Sequence, residues 1–253
     1  MRIALGVEYD GSGFRGWQSQ AEGNTVQDVL QSVLSQIAGE KISIIAAGRT
    51  DAGVHALEQV IHFDTNANRP LTAWVRGVNA LLPASVSVLW AHAVDEEFHA
   101  RFSAQARSYR YYLFCRPVRS ALQQGKVGWY HQSLDVEKMR EAAAYLLGEH
   151  DFSAFRAAEC QAKSPVKNLQ QLSIRQEGLL ICVELTANAF LHHMVRNIVG
   201  CLVYVGKGKH PPAWMQQVLN SRDRRIAAPT FAPDGLYLQR ITYDKKWALP
   251  QVA

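Results

Sequence analysis

The amino-acid sequence predicts an α+β fold built from two copies of a split β-α-β pattern. Alternating apolar residues indicate strands, apolar residues three and four positions apart indicate helices, and both halves show them in a similar order. Such a repeat implies antiparallel or mixed sheets with helices on one side. The chain has 253 residues, 48% of them hydrophobic, which is enough for two modest domains with packed cores.

The first half predicts the order strand, helix, strand, strand, helix, strand. Residues 25–38 have helical spacing with Thr25 as a candidate cap, and residues 71–82 form a second predicted helix that Pro83 ends. The strands are predicted at residues 2–9, 42–47, 59–64 and 86–94.

The second half begins with an aromatic-rich strand at residues 104–114, followed by a helix at 135–147 that Gly148 ends. Two strands at 169–175 and 179–186, helices at 189–205 and 212–220, and a last strand at 236–243 complete the pattern. We expect one domain at residues 1–100 and another at 101–253, with a site in the cleft between them.

The charge of the chain favours a polyanionic partner. Lysine and arginine number 27 against 22 aspartate and glutamate residues, which gives a net charge of +5. The excess is mild, but the arginines form two clusters that create local positive fields: Arg101, Arg107, Arg110, Arg116 and Arg119, and then Arg222, Arg224 and Arg225.

Four cysteines stand too far apart for a C-x-x-C pair, and the N-terminus does not resemble a secretory signal, so free thiols and a cytoplasmic location are expected. The longest apolar stretch, residues 190–205, is interrupted by histidines, Arg196 and Asn197 and is too polar for a membrane span. We therefore predict a soluble protein that does not enter a membrane.

Residues 46–56 read Ala-Ala-Gly-Arg-Thr-Asp-Ala-Gly-Val-His-Ala and form the strongest candidate active site. Gly48 and Gly53 bracket Arg49, Thr50 and Asp51, so the backbone can turn tightly and hold a carboxylate beside a guanidinium. The alternative is an ordinary surface turn, where aspartate and glycine are also favoured.

A glycine loop at residues 11–16 matches G-x-G-x-x-G and follows a strand, which raises the possibility of a dinucleotide site. A true dinucleotide loop opens directly into a helix, whereas here the first helix is predicted only from Thr25. A loop near nucleic acid fits better, because Arg15, Trp17 and Gln18 offer a cation, a stacking surface and an amide. A simple turn with a packed tryptophan remains an alternative.

The aromatic-rich strand places Arg107, Tyr109 and Tyr111 on one face by its alternation. Tyr112 and Phe114, on the other face, are predicted to be core aromatics. Tyr109, beside Arg107, is the better candidate for contact with a base or a sugar.

In the helix predicted at 189–205, His192 and Arg196 stand four residues apart and would share a face. A buried arginine needs an anion, and Asp51 would supply one. We expect no metal site at His192 and His193, because adjacent helical residues point about 100° apart.

Motifs of other enzyme classes are absent from the sequence, so the chemistry must rest on a carboxylate, an arginine and a phenol. An aspartate that an arginine keeps ionised is suited to act as a nucleophile.

Several motifs together resemble the tRNA pseudouridine synthase A family. They are residues 9–18 around the glycine loop, residues 48–56 around Asp51, the Phe-His-Ala-Arg-Phe-Ser-Ala segment at 98–104 with Tyr109-Arg110-Tyr111, His150-Asp151-Phe152, residues 190–200, and residues 235–238. The motifs occur in order over nearly the whole chain, which makes the resemblance specific.

The resemblance implies two ferredoxin-like halves forming one largely antiparallel sheet with a central basic cleft, and a cofactor-free homodimer. It implies isomerisation of uridine to pseudouridine at positions 38, 39 and 40 in the anticodon stem-loop of tRNA. Asp51 would be the nucleophile that attacks the base or its ribose, and Arg49 would help to hold the flipped base. Tyr109 would stack on the base and could remove the last proton, and Arg196 would pair with Asp51. A non-catalytic RNA-binding protein that uses the same basic and aromatic surfaces is the alternative.

Overall fold

The computed structural model describes residues 1–250, which form two compact units. The first contains Met1–Gln105 together with the C-terminal segment that starts at Tyr237, and the second is Ala106–Leu236. The last strand of the chain therefore lies in the first unit, although the sequence expectation grouped it with residues 101–253.

Residues 1–250 form ten strands and four α-helices. The strands are β1 (Arg2–Tyr9), β2 (Ile45–Ala46), β3 (His55–Asp64), β4 (Val86–Val94), β5 (Ala104–Cys115), β6 (Gly128–Tyr130), β7 (Gly148–Asp151), β8 (Val166–Glu177), β9 (Leu180–Ala187) and β10 (Leu236–Tyr243). The helices are α1 (Val26–Ala38), α2 (Val136–Ala144), α3 (Met194–Gly206) and α4 (Trp214–Ser221).

In the first unit, β1 pairs antiparallel with both β3 and β4, and β2 pairs antiparallel with β3. The resulting order β4-β1-β3-β2 is that of a ferredoxin-like split β-α-β unit. Strand β10 adds to β3 in parallel, with Tyr237 opposite His55 and Leu238 opposite Ala56.

In the second unit, β5, β9, β8 and β7 follow one another in the sheet, and each neighbouring pair is antiparallel. Of the strands β5, β8 and β9, the third along the chain lies between the first and the second in the sheet. The strands β1, β2 and β3 of the first unit have the same arrangement. Short β6 pairs with β5 in parallel. Both units are therefore α+β with largely antiparallel pairing, as the sequence predicts.

Side-chain capping and apolar burial explain the helices. The Thr25 hydroxyl accepts the Asp28 N–H at 3.2 Å to begin α1, and Asp135 caps α2 in the same way through Lys138. In α3 most side chains are buried, because the helix packs along its length against α2 and α4. Around Trp74, the helix predicted at 71–82 contains a π-helical segment, Ala73–Gly77, and the ring packs edge-on against Phe63.

Three sequence-based details are wrong. The strand predicted at 42–47 is limited to the two residues of β2. Helix α3 begins at Met194 rather than near residue 189, because His193 has a φ of 62°, which no α-helix accommodates. On β5 it is Tyr111 that is buried, whereas Tyr112 and Phe114 are only half-buried.

Within residues 1–250, no helix is both long enough and apolar enough to span a membrane.

Candidate active site

The turn between β2 and β3 presents the Asp51 side chain from a backbone that is hydrogen-bonded at both ends. At its start, the Gly48 carbonyl accepts the Gln59 side-chain amide at 2.8 Å. At its end, the Val54 N–H donates to the Asp51 carbonyl at 3.1 Å, and Gly53 has a φ of 78°. Asp51 is half-buried and Arg49 is exposed. The structure thus brings both predicted residues onto one turn, which we call the Asp51 turn (residues 47–54).

The glycine loop holds the Asp51 turn in place. The Trp17 N–H donates to the Thr50 carbonyl at 3.0 Å. A Cβ on Gly16 would lie 2.8 Å from the same carbonyl oxygen, and one on Gly11 would lie 1.9 Å from the Val54 carbonyl oxygen. Only glycine allows so close an approach of two backbones. The glycines are therefore required by packing against the candidate active site.

The dinucleotide alternative fails on the same loop. Residues Gly11–Gly13 form a single 3-10 turn, and the first α-helix begins at Val26. A dinucleotide loop needs a helix N-terminus at the pyrophosphate and a parallel sheet, but β1 is antiparallel to both of its neighbours.

Two buried side chains that the sequence analysis did not single out form hydrogen bonds with the Asp51 turn. The Tyr9 hydroxyl lies 2.8 Å from Thr50 Oγ1, and Gln59 is fully buried beneath Gly48. The available signal was a polar residue inside an apolar strand, since Gln59 stands within the buried run of β3. The Gln59 amide nitrogen finds its partner in the turn, whereas the buried Oε1 has no hydrogen-bond partner within residues 1–250.

His55, at the start of β3, is buried and has structural contacts. Its Nδ1 accepts the Gly11 N–H at 3.1 Å and lies 3.1 Å from an Asp10 carboxylate oxygen. The ring stacks on Tyr237 with centroids 4.5 Å apart. His55 thereby links the glycine loop to the start of β3.

Tyr109, in the second unit, is held by aromatic packing. It is 8% exposed, and its ring meets Phe190 edge-on with centroids 5.0 Å apart. The predicted alternation is correct, since Tyr109 and Tyr111 are both buried on one face of β5. Burial, with a smaller effect of Asp234, raises the pKa of Tyr111, whose hydroxyl donates to the Ala232 carbonyl at 2.8 Å. Tyr111 is therefore a poor proton acceptor.

Arg196, in the first turn of α3, is half-buried, and its Nε donates to the Phe231 carbonyl at 2.8 Å. The prediction that His192 shares a helix face with Arg196 is wrong, because His192 precedes the helix. The ring centroids of His192 and His193 lie 4.1 Å apart. Since neither residue lies within the helix, the different directions of adjacent helical side chains are no longer a reason to exclude binding of one metal ion by both rings. The pairing of Arg196 with Asp51 stays a prediction.

Many clustered arginines have structural partners within the second unit. The fully buried Asn197 accepts a hydrogen bond from Arg224 at 3.1 Å, and Arg110 pairs with Glu184 at 2.6 Å. Arg225 pairs with Asp223 at 2.7 Å. The positive clusters in the sequence thus overstate the charge available to a polyanion.

Three of the four cysteines are poor nucleophiles because burial raises the pKa of their thiols, whereas at Cys160 burial is outweighed by hydrogen bonds from the Ala162 and His192 N–H groups and by the charge of Arg156, which lower the pKa of its thiol. Burial raises the pKa of the Cys115 and Cys201 thiols to about 11. Both are protonated at neutral pH and have little thiolate character.

Comparison with known proteins identifies relatives of the whole chain. The family model described as tRNA pseudouridine synthase matches residues 6–103 and 142–244. A protein named tRNA pseudouridine synthase A from Chromobacterium violaceum is 65% identical and aligns over 99% of this chain and 96% of its own length. Proteins of the same name from Nitrosomonas eutropha and Methylobacillus flagellatus are each 60% identical, over 99% of this chain and 90% and 96% of their own lengths.

Proposed function

This chain belongs to the tRNA pseudouridine synthase family, and from that premise we propose that it isomerises uridine to pseudouridine at positions 38, 39 and 40 in the anticodon stem-loop of tRNA. In this reaction the N1–C1′ bond breaks, a C5–C1′ bond forms, and the C5 proton is lost while N1 gains one. Atoms and electrons balance within the nucleotide, so the chemistry consumes no redox cofactor.

Asp51 is the nucleophile in this proposal, and it attacks either the uracil or its ribose. The observation that carries the assignment is the Asp51 turn itself, with its carboxylate presented by a backbone that the glycine loop fixes. A nucleophile held in this way needs little reorganisation to reach the attacking position.

The uridine must leave the base stack before Asp51 can reach it. Extrusion costs a few kcal/mol, which contacts with the flipped base must offset. We propose that Tyr109 stacks on that base and that its phenolate oxygen accepts the C5 proton in the last step, while Arg49 and Arg196 bind the substrate. The support is the edge-packed ring of Tyr109 and the exposure of Arg49, two residues before Asp51 on the same turn.

We further propose that the protein acts as a homodimer in the cytoplasm, where its tRNA substrate is found. The rival function is a non-catalytic RNA-binding protein, which the same aromatic and basic side chains would also serve.

The two functions are separated by incubating purified protein with unmodified tRNA transcript and mapping pseudouridine at single-nucleotide resolution. Wild-type protein is expected to modify positions 38–40. Asp51→Asn is expected to abolish product while its Kd for tRNA stays within about threefold, because the neutral amide keeps the size of the side chain but is a very poor nucleophile.

Asp95→Asn is the matched control, since it removes an exposed carboxylate from the same unit and should turn over normally. Turnover by Asp51→Asn would contradict the nucleophile assignment, and wild-type binding without any pseudouridine would favour the rival.

A further inference from the structure

Phe102 is an aromatic side chain in the first unit whose exposure stands out. It keeps 76% of its surface exposed, compared with 42% for Trp129 and 37% for Tyr145. Water contact with an apolar ring of this size is unfavourable, so a fixed ring in this position suggests a partner.

The backbone that carries Phe102 is fixed by a network within residues 98–103, which we call the Phe102 turn. His99 Nδ1 accepts the N–H groups of both Arg101 and Phe102 at 3.2 Å. In addition, the His99 N–H donates to Ser103 Oγ at 3.0 Å, and the Ser103 N–H donates to the His99 carbonyl at 2.8 Å. Burial, together with the charges of Arg2 and Arg101, lowers the pKa of His99, which keeps Nδ1 an acceptor at neutral pH.

The Phe102 turn is also anchored to the core of the first unit. Phe98 is fully buried, and an Arg2 guanidinium nitrogen donates to its carbonyl at 2.9 Å. On the other side of the turn, the Ala100 N–H donates to Nδ1 of buried His62 at 3.1 Å, and the Tyr243 hydroxyl donates to the Ala100 carbonyl at 2.6 Å. The exposed ring therefore stands on a rigid support.

The surroundings of the ring match the chemistry of a nucleotide. The Phe102 ring is stacked on the imidazole of His99, with centroids 4.2 Å apart and planes inclined by 25°. The Arg101 guanidinium carbon lies over the Phe102 ring, 5.7 Å from its centroid. A base that stacks on this ring would displace the flexible Arg101 side chain, and the guanidinium could then bind the phosphate of that nucleotide.

We propose that Phe102, backed by His99 and flanked by Arg101, is a stacking platform for an unpaired base of the tRNA substrate. This inference rests on the proposed function, since it takes tRNA as the ligand.

The test compares the Kd of the purified full-length protein for an anticodon stem-loop RNA and for a fully paired RNA duplex of equal length. Phe102→Ala is expected to weaken stem-loop binding about tenfold and to leave duplex binding unchanged, because only an unpaired base can stack. Phe102→Trp should retain wild-type affinity. Arg101→Gln should lower the slope of log K against log salt by about one for loss of one phosphate contact.

Leu81→Ala is the matched control, because it removes another exposed apolar side chain from the same unit and should bind both RNAs as wild type does. Melting temperatures of all variants are measured to confirm folding. Equal stem-loop affinity for Phe102→Ala and wild type, or an equal loss with both RNAs, would overturn the platform.

A change in oligomeric state of Phe102→Ala at unchanged RNA affinity would also overturn it and would assign the ring to a second copy of the chain. Pseudouridine formation by the wild type is measured in parallel. Its absence would count against the proposed function, whereas its presence with unchanged stem-loop binding would count against the platform alone.

Discussion

The Asp51 turn and the surroundings of Tyr109 are held in place by different forces. Backbone hydrogen bonds and glycine contacts fix the turn, so its geometry is set by groups that cannot adopt another rotamer. The Tyr109 ring packs edge-on against the Phe190 ring, a contact between two side chains that can change rotamer. If Asp51 and Tyr109 have the roles proposed above, the nucleophile is preorganised, whereas the ring that would stack on the base can adjust to different nucleotides.

Among the variants that test this comparison, removal of the Tyr109 hydroxyl should have the largest effect. Tyr109→Phe keeps the ring and its packing but removes the proposed base, so kcat should fall about a thousandfold with little change in KM. Single-turnover rates measure it, and Tyr145→Phe at an exposed position is the control. An unchanged kcat would limit Tyr109 to stacking.

A rigid turn should tolerate almost no added volume. Gly11→Ala places a Cβ against the Val54 carbonyl, which must shift, so we expect an activity loss of about a hundredfold. Gly13→Ala, in the same loop but with open space around its Cβ position, should be close to wild type. If both variants were equally active, the glycine loop would not position the turn.

Lowering the pH should reduce the free energy of unfolding of the first unit through His62. Burial, then the charges of Arg2 and His99, lowers the pKa of His62 to about 4, while Asp64 opposes them. The unfolded chain takes up this proton below about pH 6.5, whereas the folded chain takes it up only near pH 4. The free energy of unfolding therefore falls as the pH drops from about 6.5 to about 4, and the loss is about 2 kcal/mol at pH 5.

Urea unfolding at several pH values measures this loss of stability. His62→Gln, which can still accept the Ala100 N–H but cannot titrate, should show a shallower slope over that range. The same slope in both proteins would exclude His62 as its source.

The smallest expected effect is the loss of stability when Arg196 is replaced. Arg196→Ala loses the hydrogen bond to the Phe231 carbonyl, which should lower the free energy of unfolding by about 1 kcal/mol. Activity should also fall if Arg196 binds substrate or pairs with Asp51. Arg175→Ala, an exposed arginine paired with Glu184, is the control, and wild-type melting and rate in Arg196→Ala would contradict both roles.

Periodicity predicted most of the strands and helices, because burial imposes alternation on β5 and helical spacing on α1, but it missed the short strands β6 and β7. It failed at residues 189–193, where a left-handed His193 interrupts an apolar run that reads as helix. The Asp51 turn was predictable from its glycines, but its support by Tyr9 and Gln59 was not, since hydrogen bonds between residues 41 and 11 positions apart leave no local pattern.

The parallel pairing of β10 with β3 bears on how the chain folds during synthesis. His55, directly after the Asp51 turn, is covered by Tyr237, which leaves the ribosome only after residues 106–236 have been made. The first unit must therefore keep an open sheet edge while the second is translated. A nascent chain arrested before residue 237 should expose the β3 edge to proteases and chaperones, and its release should close that edge.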